Sequence, residues 1–158
     1  MTPKEKLAAL VGAGCCAALL AYVPRFEGTE ATAYRDPVGI LTVCVGHTGA
    51  DIVPGKRYTR EECEQILVSD LLKHAEPVLK CTPGLVDHPL QLAAAVSFAF
   101  NVGVKAYCES TMARKFNAGD IAGGCAELSK WVKAGGQVLP GLVERRRVER
   151  AMCEGRIG

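Results

Sequence analysis

Residues 7–23, LAALVGAGCCAALLAYV, carry no charge, and any fold for this chain must find a place for them. As one helix they would be ~25 Å long, at the short end for a bilayer core of ~30 Å. Alanine and glycine make the run only weakly hydrophobic, with Lys4 and Lys6 before it and Arg25 after it. Three placements compete. A cleaved signal peptide shares the basic start and short apolar region, but AYVPRFEG offers no good small-x-small cleavage site directly after the run. A buried core helix is disfavoured by the lack of a polar face. The reading adopted is an uncleaved, marginal membrane segment, which divides the chain into an N-terminal segment, residues 1–24, and an exported domain, residues 25–158.

A chain of 158 residues has room for one domain with a real core. A formal net charge of +2 is too small to argue for nucleic acid, though it favours approach to an anionic polymer. The terminal arginines of GLVERRRVER read as the solvated face of a last helix. Eight cysteines are many for this length. They show no C-x-x-C spacing, and His47, His74 and His88 are scattered, so no metal or cofactor is expected. Six of the cysteines lie beyond residue 40, which suits disulfides and an oxidising compartment.

The remaining punctuation is α+β. TAYRDPVGILTVCVGHTG has turn residues Asp36, Pro37 and Gly39 followed by β-branched positions, which predicts short strands. Thr59 and Glu62 form a capping box that opens a helix with Ile66, Leu67, Leu71 and Leu72 on one face. HPLQLAAAVSFAFNVG predicts an apolar helix crossing the core. STMARKFNAG and DIAGGCAELSKWVKAGG predict two more, and PGLVERRRVERAMCEG a last one. A small β-hairpin lobe and a larger helical lobe would then face each other across a cleft.

Glu27, Asp36 and Thr42 stand in the pattern E-x8-D-x5-T. Glycosidic hydrolysis needs a proton donor at the leaving oxygen and a second group that manages water. Glu27, beside Phe26, could hold its proton in a partly apolar pocket. Asp36 on a turn would stay ionised, and Thr42 could hold a water. The same residues also suit a helix end, a turn cap and a strand position, and spacing alone does not decide between the readings.

The run FEGTEATAYRDPVGILTVCVGHTG resembles the active-site segment of phage-type lysozymes, the endolysins of glycoside hydrolase family 24. The resemblance continues through YTREECEQIL, AAAVSFAFNVG, STMARKFN and GLVERRRVER, in the same order. It implies a lysozyme-like α+β fold. It also implies hydrolysis of the β-1,4 bond between N-acetylmuramic acid and N-acetylglucosamine in peptidoglycan. Glu27 would be the general acid, Asp36 and Thr42 would position water, and the route would be inverting. His47 resembles a structural histidine near the hairpin. Phe100, Ser110, Thr111 and Arg145 stand where substrate contacts are expected, with core packing, helix capping and surface solvation as their respective alternatives. Trp131 reads as core.

The N-terminal run is similar to that of the signal-anchor-release subtype. This resemblance implies tethering to the inner membrane through residues 7–23, followed by release into the periplasm as a monomer acting on glycan strands. Some members of the subtype replace the catalytic aspartate by cysteine, whereas this chain keeps Asp36. Cys15 or Cys16 could exchange with Cys44 after release. Spacing and predicted neighbourhood instead suggest structural pairs Cys44–Cys63, Cys81–Cys108 and Cys125–Cys153, with Cys15 and Cys16 as small apolar residues. A lytic transglycosylase and a non-catalytic, membrane-tethered glycan-binding module are the alternative functions.

Overall fold

The computed structural model describes residues 1–157. Thr2 opens the first helix, α1 (Pro3–Val11), with a capping box: its hydroxyl accepts from the Glu5 amide at 3.1 Å, and the Glu5 carboxylate accepts from the Thr2 amide at 2.6 Å. Gly12, at φ +87°, breaks the helix, and α2 (Ala13–Glu27) leaves at a bend of 117°. No single helix is long and apolar enough to cross a membrane, although α1 and α2 together pass that test by length and composition.

In this fold the apolar run packs into the domain. Leu7, Val11, Cys15, Cys16, Ala18, Leu19 and Val23 are buried in the main core. The exposed positions between 7 and 23 are Ala9, Gly12, Ala13, Gly14, Ala17 and Ala21. A core helix ordinarily shows water a polar face. Here the outward face is alanine and glycine, which expose so little apolar area that water costs them little. That is why the lack of polar residues did not exclude burial.

Gly28 ends α2 at φ +72°. Strands β1 (Glu30–Arg35), β2 (Leu41–Cys44) and β3 (His47–Thr48) form an antiparallel sheet in that order. Tyr34 pairs with Thr42, Thr42 with Thr48, and Val43 with His47. Beneath the sheet Val43, Cys44, Ile52, Tyr58 and Cys63 form a small second core.

Helix α3 (Arg60–Cys81) begins with the predicted Thr59–Glu62 capping box and runs on past Pro77. It buries Leu67, Val68, Leu71, Ala75 and Val78. Helix α4 (Pro89–Val102) buries every side chain from Leu92 to Ala99 and crosses the larger lobe as expected. Short helices follow: α5 (Val104–Cys108), α6 (Thr111–Asn117) and α7 (Ile121–Glu127). The helix expected to run on through Trp131 stops at Glu127. A 3-10 turn over Leu128–Lys130 and a hairpin of β4 (Lys133–Ala134) and β5 (Gln137–Val138) replace its end. Gly135 and Gly136 join the strands at φ +58° and +79°, the conformation a two-residue hairpin needs. Helix α8 (Pro140–Cys153) closes the larger lobe.

Three disulfides staple these elements. Cys44–Cys63 ties β2 to α3, Cys81–Cys108 ties α3 to α5, and Cys125–Cys153 ties α7 to α8, with Cα separations of 5.1, 5.6 and 5.6 Å. Cys15 and Cys16 are free and buried. Burial, with the neighbouring Cys16 adding to it, pushes the Cys15 thiol up to about 12, so it is a poor nucleophile in the folded chain.

Candidate active site

The end of α2 delivers Glu27 to a cavity of about 490 Å³ whose wall includes Phe26, Asn101, Leu139, Leu142 and Arg145. The helix stops one residue later, at Gly28, so the carboxylate stands at the junction of the two lobes. Its Oε1 accepts from Arg145 Nη1 at 2.5 Å. Its Oε2 faces the turn between β2 and β3, where a Cβ on Gly46 would come within 3.0 Å. A side chain at position 46 would crowd Glu27 Oε2, and the φ of +65° there favours glycine.

Arg145 corrects the reading of α8 as a solvated arginine face. Arg145 and Arg146 are 5% and 1% exposed. Arg145 donates to Glu149 Oε2 at 3.1 Å and to the Ser97 carbonyl at 2.8 Å, and its guanidinium lies 4.8 Å from the centre of the Phe26 ring. Arg146 donates to Glu149 Oε1 at 2.6 Å, to the Trp131 carbonyl at 2.9 Å, and to Asn101. Glu149 is wholly buried, and Ser97 donates to its Oε2 at 2.6 Å. Burial pulls the Arg146 guanidinium below its usual value, with Glu149 pulling the other way. Every buried side-chain polar atom among the described residues has a partner, so the cluster is a satisfied network. It holds Glu27 by one oxygen and leaves the other free. The neighbour of Glu27 is thus a guanidinium as well as the expected aromatic ring.

Asp36 and Thr42 meet through the backbone of Ile40. Asp36 Oδ1 accepts from the amides of Val38 at 3.0 Å and Ile40 at 2.8 Å, which closes the hairpin turn. The buried Thr42 hydroxyl donates to the Ile40 carbonyl at 3.0 Å. Its one proton is committed there, so towards a further partner it acts as an acceptor. Among the described residues Asp36 Oδ2 makes no hydrogen bond. The hairpin thus offers two acceptors, and the same sheet carries Gly46 up against Glu27.

His47 is 7% exposed and makes contacts of 2.7 Å to Asp70 and 2.9 Å to Asp51. Burial alone would lower its pKa, but the two carboxylates outweigh it and the pKa is raised; the pKa of Asp51 is lowered chiefly by its hydrogen bond to His47. Sequence reasoning had named neither aspartate. Phe100 packs on the core, its ring 4.9 Å from that of His74, and the neighbouring Asn101 lines the cavity instead. Ser110 caps α6, accepting from the Ala113 amide at 3.1 Å and donating to the Tyr107 carbonyl at 2.6 Å. The exposed Thr111 accepts from Arg114 at 2.8 Å. Neither Ser110 nor Thr111 reaches the Glu27 cavity. Trp131 packs edge-on to Phe98 with ring centroids 5.0 Å apart. Among the described residues no cluster of side chains has the makings of a metal site.

The sequence profile of the family described as phage lysozyme matches residues 24–149. A SAR-endolysin of Bacteriophage PS119 is 46% identical over 131 residues, covering 80% of this chain and 75% of its own. The SAR-endolysin of Enterobacteria phage P21 is 39% identical over 160 residues, covering 95% of this chain and 94% of its own. Among solved structures, the active form of the P1 phage endolysin Lyz superposes with a TM-score of 0.78 at 23% identity, over 96% of both chains. The secreted inactive form of that endolysin gives only 0.55 at 21% identity, over 94% of this chain and 98% of its own. With its lysozyme-like α+β fold, the chain belongs to the phage lysozyme family and is a muramidase of the endolysin type.

Proposed function

We propose that the chain hydrolyses the β-1,4 bond between N-acetylmuramic acid and N-acetylglucosamine in peptidoglycan, with Glu27 as general acid. The free Oε2 of Glu27 carries the proton to the leaving oxygen, while Arg145 fixes the carboxyl by its other oxygen. A water on the opposite side of the sugar donates one hydrogen bond to Asp36 Oδ2 and one to Thr42 Oγ1. Its lone pair then points at the anomeric carbon, and Asp36 takes its proton as the bond forms. Water entering opposite the leaving group inverts the centre. What supports this reading is the junction itself: the carboxylate anchored by Arg145 lies against the β2–β3 turn, in the same sheet whose hairpin holds Asp36 and Thr42.

The acceptor pair also favours hydrolysis over lytic transglycosylation, which needs no water. Glu27→Gln should abolish the clearing of outer-membrane-permeabilised bacteria while leaving the melting temperature within about 2 °C of wild type. Hydrolysis yields a reducing end. A 1,6-anhydro product, or undiminished clearing by the variant, would defeat the proposal.

We also infer that residues 7–23 tether the exported chain to the inner membrane before it takes up this fold. Straightened at Gly12, the helices from Pro3 to Glu27 would reach ~37 Å, enough for the ~30 Å hydrocarbon core. The full-length match to a SAR-endolysin and the better fit to the active form of Lyz support this reading. Dissipating the membrane potential should move the protein from the membrane fraction to the soluble one. A chain that is soluble from the outset would refute the tether.

A further inference from the structure

Among the described residues Cys44 is the one non-glycine at positive φ, at +57°. L-residues seldom take that conformation, and cysteine lacks the short amide or carboxylate by which asparagine and aspartate tolerate it. The two faces of β2 explain why it is held there. Successive side chains of a strand point to opposite faces. Leu41 and Val43 pack on the small core beneath the sheet, so Thr42 points away from it. An extended backbone at position 44 would carry the next side chain to the face of Thr42. Cys44 lies instead in the small core beside Val43, 1% exposed, where it meets Cys63. The left-handed backbone swings it across.

The turn that approaches Glu27 starts at this residue. Residues 44–46 connect the paired Val43 and His47. Val45 is buried in the main core, and Gly46 stands against Glu27 Oε2. Both ends of the turn are tied to α3: Cys44 is bonded to Cys63 near the start of the helix, and His47 meets Asp70 at 2.7 Å further along it. The first tie is covalent, and it fixes a residue in a conformation that residue resists. The other two disulfides join helices to one another. Resting on the muramidase reading above, we propose that the Cys44–Cys63 bond positions the catalytic hairpin, holding Cys44 left-handed so that Thr42 keeps its face and Gly46 its place against Glu27. Cys44 and Cys63 are then positioning residues, and the chain reaches full activity only once oxidised. Forming the bond takes two electrons and two protons from the thiols, and a disulfide-bearing oxidant accepts them as it becomes a dithiol. Without the bond, position 44 relaxes towards an extended backbone and the turn draws Gly46 away from the carboxylate.

The test removes the bond in two ways. Cys44→Ala/Cys63→Ala leaves at position 44 an L-residue with nothing to hold it. Cys44→Gly/Cys63→Ala puts there the residue that takes positive φ freely. Each is assayed on purified sacculi below its melting temperature, with kcat expressed per folded molecule from circular dichroism. The alanine pair should lose kcat by about tenfold with KM changed by less than about twofold, and the glycine pair should recover at least about a third of the wild-type kcat. Cys81→Ala/Cys108→Ala, which also gives up a staple, should keep its kcat. Equal loss in the alanine and glycine pairs, or loss in neither, overturns the proposal. A matching loss of kcat in the Cys81–Cys108 control overturns it as well, by marking a general effect of stability. If the alanine pair does not fold, an active glycine pair upholds the proposal and an inactive one overturns it. Oxidised wild type that leaves sacculi intact would instead overturn the muramidase reading on which the proposal rests.

Discussion

Glu149→Gln isolates the energetics of the cluster behind Glu27. The substitution keeps the side chain's size and removes the one anion that two buried guanidiniums share. Arg145 retains Glu27 at 2.5 Å as a second carboxylate. Arg146 retains only neutral acceptors, the Trp131 carbonyl and the Asn101 side chain. One cation is therefore stranded at 1% exposure, and breaking a buried pair in this way costs about 3–5 kcal/mol. Because Arg145 is still compensated, the lower end applies, about 3 kcal/mol. For a domain of this size each kcal/mol lowers the melting temperature by about 2–4 °C, so a fall of about 6–12 °C is expected in a circular-dichroism melt. Arg146→Met/Glu149→Met, which removes the stranded charge as well, should recover at least half of that loss. A fall below about 2 °C for Glu149→Gln would mean that water or a rearranged partner already serves Arg146, and the account of the cluster would be wrong.

Gly46→Ala should cost about 1–2 kcal/mol from its left-handed backbone. It should reduce lysis far more than that loss of stability explains, since the new methyl displaces Glu27 Oε2; equal effects on lysis and stability would refute the close approach. The His47 pairs give a pH signature in chemical-denaturation midpoints. The histidine pKa is raised from 6.5 and the Asp51 pKa lowered from 3.8, so their stabilisation is complete between those values. It fades as the pH rises through the folded histidine's pKa and again in acid as Asp51 protonates. His47→Asn should flatten the alkaline slope, and an unaltered slope would count against it. Leu19→Ala, at a position 1% exposed in α2, should cost about 2–5 kcal/mol; a negligible change would show that the N-terminal helices do not belong to the core.

Much of this was legible in the sequence because local chemistry settles local structure. The Thr59–Glu62 box, the all-apolar α4 and the Gly103 stop each leave a signature within one turn of helix. The disulfide partners were suggested by spacing and predicted neighbourhood, and the fold joins the same pairs. What escaped notice was mostly a matter of partnership. Nothing local distinguishes a buried Arg145 from a solvated one until Ser97 and Glu27, 48 and 118 residues away, come alongside. A signal did exist: residues 145, 146, 149, 152 and 153 share one helical face, and that face ends in Met152 and Cys153. The Gly135–Gly136 turn was likewise visible, but the apolar residues before it were extended into a helix too far. That the N-terminal run also packs into the folded interior was not legible, because periodicity separates polar from apolar and says nothing about residues that tolerate either medium.

That tolerance has a consequence for how the chain can vary. A stripe from Leu7 through Val11, Cys15 and Leu19 to Val23 must interlock with the interior, while the opposite side, from Ala9 to Ala21, meets only water. If the segment first rests among acyl chains, that outer side must also be acceptable there, and methyl groups or hydrogens satisfy both media. Two demands that would otherwise conflict thus fall on separate sides of one cylinder. Drift among small residues on the outer side is then free in both settings, whereas a single ionised residue there would be silent in the folded enzyme and would register only at the bilayer.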